Sequence, residues 1–178
     1  MFRILKFINK WFRILIKGRN SYARFIGVKI GEHCRVYITD FGSEPWLIEI
    51  GNKVTVTSGV KILTHDGAAW LFKEKKGRRF LYKITVIKNN VFIGVNSIIM
   101  PGVVIEDNVI VAAGSVVTKS VPSGSIIGGN PAKIIGDFDT YKKRVIENYI
   151  SEDDIDYELD YKERILKVLD HEEKAYLK

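Results

Sequence analysis

Three histidines are the only imidazoles in the chain, and their surroundings separate them. His65 lies in ILTHDGAAW, where a regular apolar pattern gives way to an irregular stretch. A histidine at the edge of a rigid element and the root of a loop is well placed to move protons near neutral pH. The plainer reading is that it hydrogen-bonds the loop. Its neighbour Asp66 would point to the other side of a strand, so a backbone carbonyl is the better expected partner for His65. Asp66 is then a candidate acceptor contact. Trp70 offers a flat face on which a ring could stack, or else it pins the loop. His33, at a corner of the first repeat, and His171, in an acidic tail, are weaker candidates. Cys34 is the single cysteine, which excludes an intramolecular disulfide and agrees with a reducing compartment. His33 and His65 stand 32 positions apart, so no closely spaced ligand set announces a metal.

The elements that must position these groups follow from a period of six. Between Ile87 and Pro122 every block of six opens on an aliphatic residue: Ile87, Ile93, Ile99, Ile105, Val111, Val117. That period fits neither a helix at 3.6 nor a single strand at two. It fits a prism in which each block makes one flat side, its first residue pointing inward, with three sides to a coil of about 18 residues. Gly94, Asn96, Gly102, Asp107, Asn108 and Gly114 suit the corners, where left-handed backbone is often needed. The pattern starts at Ile30 and Val36, slips at Phe41-Gly-Ser-Glu-Pro45, and resumes at Ile50, Val56 and Ile62. From Ile62 to Ile87 the separation is not a multiple of six. Residues 67–83 are therefore expected to leave the coil as a loop with its own short helix or hairpin, the usual place for recognition.

Three organisational segments result: an arm (1–27), a repeat domain (28–136) carrying that excursion, and a helical extension (137–178). Residues 2–16 read as a basic amphipathic helix, with Ile4, Leu5, Ile8, Trp11, Phe12 and Leu15 on one face. Phe2 and Phe7 fall off that stripe, and Gly18 and Asn20 end the helix. Such a helix caps the open first coil or lies on an anionic membrane surface. Residues 1–35 carry nine Lys or Arg against Glu32, so the net charge of +7 belongs to this arm. A nucleic-acid surface spread over the fold is not expected. The excursion adds Lys73, Lys75, Lys76, Arg78, Arg79 and Lys83 against Glu74. Residues 137–178 hold 13 acids and eight bases. A short helix near Val145, a second beginning at Ser151 with acids in its first turn, and a stripe through Ile165, Leu166, Leu169 and Tyr176 are expected there. No apolar run is long enough to span a membrane. No cleavable signal is evident in residues 1–17, so a cytoplasmic protein is expected, with residues 2–16 available to the inner membrane face.

The run VFIGVNSIIMPGVVIEDNVIVAAGSVVTK followed by GGNPAKII resembles the hexapeptide-repeat acyltransferases. It is especially similar to the branch of streptogramin, maltose and galactoside acetyltransferases and capsular or lipopolysaccharide O-acetyltransferases. The resemblance covers about residues 28–136. It implies a mainly β fold, a left-handed parallel β-helix of hexapeptide repeats, with the N-terminal helix and C-terminal helical extension attached. It further implies homotrimers that use acetyl-CoA in clefts between subunits. By that resemblance His65 is the general base and the Val95 N–H stabilises the oxyanion. Phe92 replaces a family tryptophan beside the thioester, keeping an aromatic wall without the indole N–H. Ala113 faces the pantetheine arm, with Gly114 and Ser115 keeping the wall close. Thr118, Lys119, Pro131 and Lys133 lie where the family handles the nucleotide end. No metal is required. The implied activity is transfer of acetyl from acetyl-CoA to a sugar hydroxyl of a surface polysaccharide or its precursor. An antibiotic acetyltransferase and a non-catalytic β-helix scaffold are the alternatives.

Overall fold

The computed structural model describes residues 2–176, with side chains for residue 12 and from residue 14 onward. The chain divides into two compact units, residues 1–139 and 140–178.

The first unit is a three-sided parallel β-helix. One face stacks Lys29–Ile30, Ile48–Ile50, Thr85–Ile87 and Val104–Ile105. A second stacks Arg35–Val36, Thr55–Val56, Val91–Ile93, Val109–Val111 and Ser125–Gly129, and a third stacks Lys61–Ile62, Ile98–Ile99 and Val116–Val117. The register is the period of six made physical: Ile87 pairs with Ile105, Ile93 with Val111 and Ile99 with Val117, each one coil apart. All six side chains are buried. A second inward column stands two positions earlier in each block, at Val91, Ser97, Val103, Val109, Ser115 and Val121, and it is buried as well. Alternation within a short strand demands this second column, because residues i and i+2 share a face. Its two serines are satisfied at the corners: Ser97 Oγ donates to the Gly94 and Ala112 carbonyls, and Ser115 Oγ to the Ala112 carbonyl. Each fully buried aliphatic contributes about 1.5–3 kcal/mol, and stacking makes the columns continuous.

The corners divide into two kinds. Asn96 and Asn108 adopt left-handed φ of 59° and 58°, as their type suggests. Gly94 does not, and it is required for another reason: a Cβ there would stand 2.5 Å from the Ala113 nitrogen of the next coil. The coil closes as a hairpin in which Ser125–Gly129 pairs antiparallel with Ala132–Asp137 across a cis Asn130–Pro131 bond.

Two irregularities shape the surface. Ile30 pairs with Ile50, twenty positions on, so the slip at residues 41–45 lengthens that coil by two residues; a 3-10 turn at Pro45–Leu47 absorbs it. Ile50 pairs with Ile87, thirty-seven positions on, so nineteen residues leave the coil between them. They form a 3-10 helix at Gly67–Leu71 and a two-stranded hairpin of Lys73–Glu74 with Gly77–Arg78.

Helix α1 (Phe2–Phe25) is broken at Gly18 (φ 77°, ψ 170°) and resumes to Phe25 rather than ending there. The resumed turn docks on the first coil: Ala23 is fully buried, Asn20 Nδ2 donates to the Cys34 carbonyl, and Arg24 reaches the Ile30 and Gly31 carbonyls and Glu32. The expected apolar stripe of Ile4, Leu5, Ile8 and Trp11, with Phe2 and Phe7 beside it, lies outside the described side chains. No helix among the described residues is long and apolar enough to cross a membrane. Toward the C-terminus, helix α2 (Phe138–Asn148) includes Val145 as expected. The acids after Ser151 form only a capped 3-10 turn at Glu152–Asp154, where the Asp154 side chain closes a capping box on Ser151. Helix α3 (Tyr161–Lys167) starts later, on the Asp160 side chain, and it ends before Tyr176.

Candidate active site

His65 lies past the last strand residue of the third face, where the chain turns toward the first. The excursion begins and returns beside it: His65 bridges Tyr82 antiparallel, Asp66 N–H donates to the Leu81 carbonyl and Lys83 N–H to the Thr64 carbonyl. The imidazole is therefore held at both roots of the loop. Its Nδ1 lies 2.8 Å from Glu44 Oε2, and the same oxygen accepts from Thr64 Oγ1 at 2.8 Å. The Glu44 side chain is 15% exposed, against 42% for His65. Burial alone would raise the Glu44 carboxyl, but the hydrogen bonds from Thr64 and His65 hold it below the usual carboxylate range. An ionised carboxylate only accepts, so Nδ1 carries the proton and Nε2 presents a lone pair.

Glu44 takes the place expected for a backbone carbonyl. It belongs to the stretch that breaks the phase, and the signal for it is arithmetic. With a coil of twenty residues there, Thr64 must stand over residue 44. Asp66 does not approach His65 in this way; its carboxylate accepts from Ala68 N–H and caps the 3-10 helix. Trp70 sits on that helix, 63% exposed. The ring that meets His65 is instead Tyr82, with centroids 6.1 Å apart.

The remaining candidates sort onto two edges of the third face. Thr118 and Lys119 follow Val117, which pairs with Ile99 and through it with Ile62. Lys119 thus shares the His65 corner, two coils up, about 10 Å along the axis. Val95, Ala113 and Gly114 line the opposite corner. The Gly114 N–H donates to the Val95 carbonyl, and among the described residues the Val95 N–H meets no acceptor. Phe92 is exposed on the strand that leads into this corner. The closing hairpin, where Gly128 faces Lys133, rises beside Ala112 and brings Pro131 and Lys133 to the same side. Ser115 is buried beneath that corner and holds it through its hydroxyl.

One chain therefore presents two separate sets of candidate groups. Val95 stands four positions before Ile99 and His65 three after its register partner Ile62, a separation on the order of 20 Å in strand. The first edge offers an oriented base and a lysine. The second offers a small-residue wall with a backbone donor and a second lysine. Among the described residues no cluster of three or more His, Cys, Asp or Glu could hold a metal.

The pattern described as bacterial transferase hexapeptide (six repeats) matches residues 84–119. Protein CapG of Staphylococcus aureus is 50% identical over 149 residues, 82% of this chain and 84% of that protein. The galactoside O-acetyltransferase of Escherichia coli K12 is 33% identical over 118 residues, 66% of this chain but only 51% of its own length. A solved galactoside acetyltransferase in complex with coenzyme A superposes with a TM-score of 0.54 at 26% identity, over 77% of this chain and 76% of that one.

Proposed function

The chain belongs to the hexapeptide-repeat acyltransferases, built as left-handed β-helices, and from that premise we propose that it is an acetyltransferase moving acetyl from acetyl-CoA to a sugar hydroxyl. The acceptor belongs to a surface polysaccharide or its precursor. The observation that carries this reading is the Thr64–Glu44–His65 arrangement, which leaves Nε2 basic and aimed away from its support. Similarity to an enzyme named for O-acetylation of galactosides supports the acceptor class.

His65 Nε2 takes the hydroxyl proton as the oxygen bonds to the thioester carbonyl carbon. The Val95 N–H of a neighbouring copy donates to the developing oxyanion. Collapse breaks the C–S bond, and the proton held on Nε2 passes to the departing CoA sulfur. No covalent enzyme intermediate is needed, and Cys34, buried under the arm, is remote in role. Ala113 and Gly114 give the pantetheine arm a flat wall. Lys119 and Lys133 supply point charges for the phosphates. Because one copy separates the two half-sites, the working assembly is a homotrimer with sites between subunits.

His65→Ala is expected to lower kcat by about 10²–10⁴-fold with acetyl-CoA affinity, measured by calorimetry, retained. Near-normal turnover in that variant would overturn the mechanism. Absence of acetyl-CoA binding to the intact protein would leave only the scaffold reading.

A further inference from the structure

Beyond His65 the returning strand of the excursion carries an ordered row of side chains. Tyr82 meets His65 at 6.1 Å between centroids, and Phe80 lies 6.1 Å from Tyr82 with the rings nearly parallel, at 10°. The Arg78 guanidinium stands 4.6 Å over the Phe80 ring. Strand Gly77–Arg78 leads into this segment and Tyr82 bridges His65, and the ring contacts set residues 78, 80 and 82 in one row. Arg79 pairs with Glu74. Among the described residues Arg78 has no carboxylate partner, and its charge is oriented by Phe80 rather than neutralised. The strand is fixed at the catalytic end by its hydrogen bonds to Thr64 and Asp66.

We propose that this row is the acceptor-reading surface, and that the acceptor is an anionic saccharide. The sugar bearing the reacting hydroxyl lies against Tyr82 beside His65, and a carboxylate or phosphate further along the acceptor pairs with Arg78. The inference rests on the acetyltransferase reading and adds its substrate class. An aromatic face accepts the apolar C–H side of a pyranose and leaves its hydroxyls free to reach the base. Beyond it a guanidinium forks onto a carboxylate or a phosphate, and it stacks on a ring in a way a lysine does not. Tyr82 is then the ring beside His65 that meets the acceptor, a role for which Trp70 is also a candidate in the sequence.

Ligand-observed NMR on the full chain, with hexuronic acid oligosaccharides, sugar phosphates and size-matched neutral oligosaccharides, tests this. Anionic members should bind at least tenfold more tightly than neutral ones. Arg78→Ala should remove that preference, and Tyr82→Ala should weaken every saccharide. Lys75→Ala, at the hairpin turn, serves as a control for loss of general charge and should keep the preference. Binding of the uronates alone or of the phosphates alone identifies the anion, and either supports the proposal. Equal binding of neutral and anionic members, no binding by any, or an unchanged preference in Arg78→Ala overturns it. Acetyl-CoA binding measured on the same samples reports separately on the acetyltransferase reading, which survives any of those three outcomes if it is intact.

Discussion

Glu44 accepts from Thr64 and His65 through one oxygen, Oε2, which makes the imidazole's tautomer a consequence of the coil length beneath it. On the proposed mechanism the carboxylate also stabilises the imidazolium formed when Nε2 takes a proton. In Glu44→Gln the negative charge is lost and the amide can donate to Nδ1, favouring the tautomer whose Nε2 is already protonated. The expected result is a fall in kcat of about 10- to 1000-fold. Acetyl-CoA affinity and the melting temperature should stay close to the wild-type values in this variant, which simple misfolding would not allow. An undiminished rate in Glu44→Gln would count against the orienting role. Glu44 has a folded pKa below its unfolded value, so it contributes stability above the usual carboxylate range; that contribution fades as pH falls through the depressed value. The position of His65 at the root of the excursion was legible from the end of a regular run. Glu44 was not, because it lies in the one early stretch where the six-residue phase fails. Only the register of the folded coil brings it under Thr64.

At the scale of elements, Gly18 separates two tasks along α1. Residues after the break hold the first coil through Ala23, Asn20 and Arg24. Before it, Phe12, Leu15 and Ile16 are 62%, 80% and 61% exposed, and residues 1–17 contain five Lys or Arg and no acid. We propose that capping and membrane contact divide at the kink instead of competing for one helix. Each basic residue near an anionic surface contributes about 1 kcal/mol, so deletion of residues 1–17 should abolish flotation with anionic vesicles while the melting temperature of the coil stays in place. Raising the salt concentration should weaken flotation of the intact chain. Unchanged flotation after the deletion would rule out the membrane role. The coil was legible for the opposite reason to Glu44: its aliphatics recur in phase over six blocks, and burial follows phase. The second inward column was missed because serine at 97 and 115 interrupts its apolar character. Those hydroxyls are buried only because corner carbonyls accept from them. The late start of α3 has a similar local cause, since the Asp154 side chain turns back to Ser151 and closes a 3-10 turn before a helix can propagate.

For the whole molecule the decisive fact is that the third face lies between His65 and Val95. On the proposed mechanism a single copy cannot bring Nε2 and the Val95 N–H onto one thioester, and we propose a closed ring of copies that sets the first edge of each against the second edge of the next. Exposed Leu63 on one edge, and Phe92 and Val95 on the other, give those edges apolar surface to bury. Head-to-tail contacts of this kind close into cyclic assemblies. Two separately inactive variants test the arrangement: His65→Ala, which spoils the base, and Ala113→Trp, which fills the small-residue wall opposite. Unfolded together in equal amounts and refolded, they form mixed rings in which an intact base meets an intact wall at about a quarter of the sites for random assembly. Activity should return to about that fraction of the wild-type value, although neither variant recovers when refolded alone. If each site were complete within one chain, every site in the mixture would still carry one lesion, and the mixture would stay as inactive as its parts.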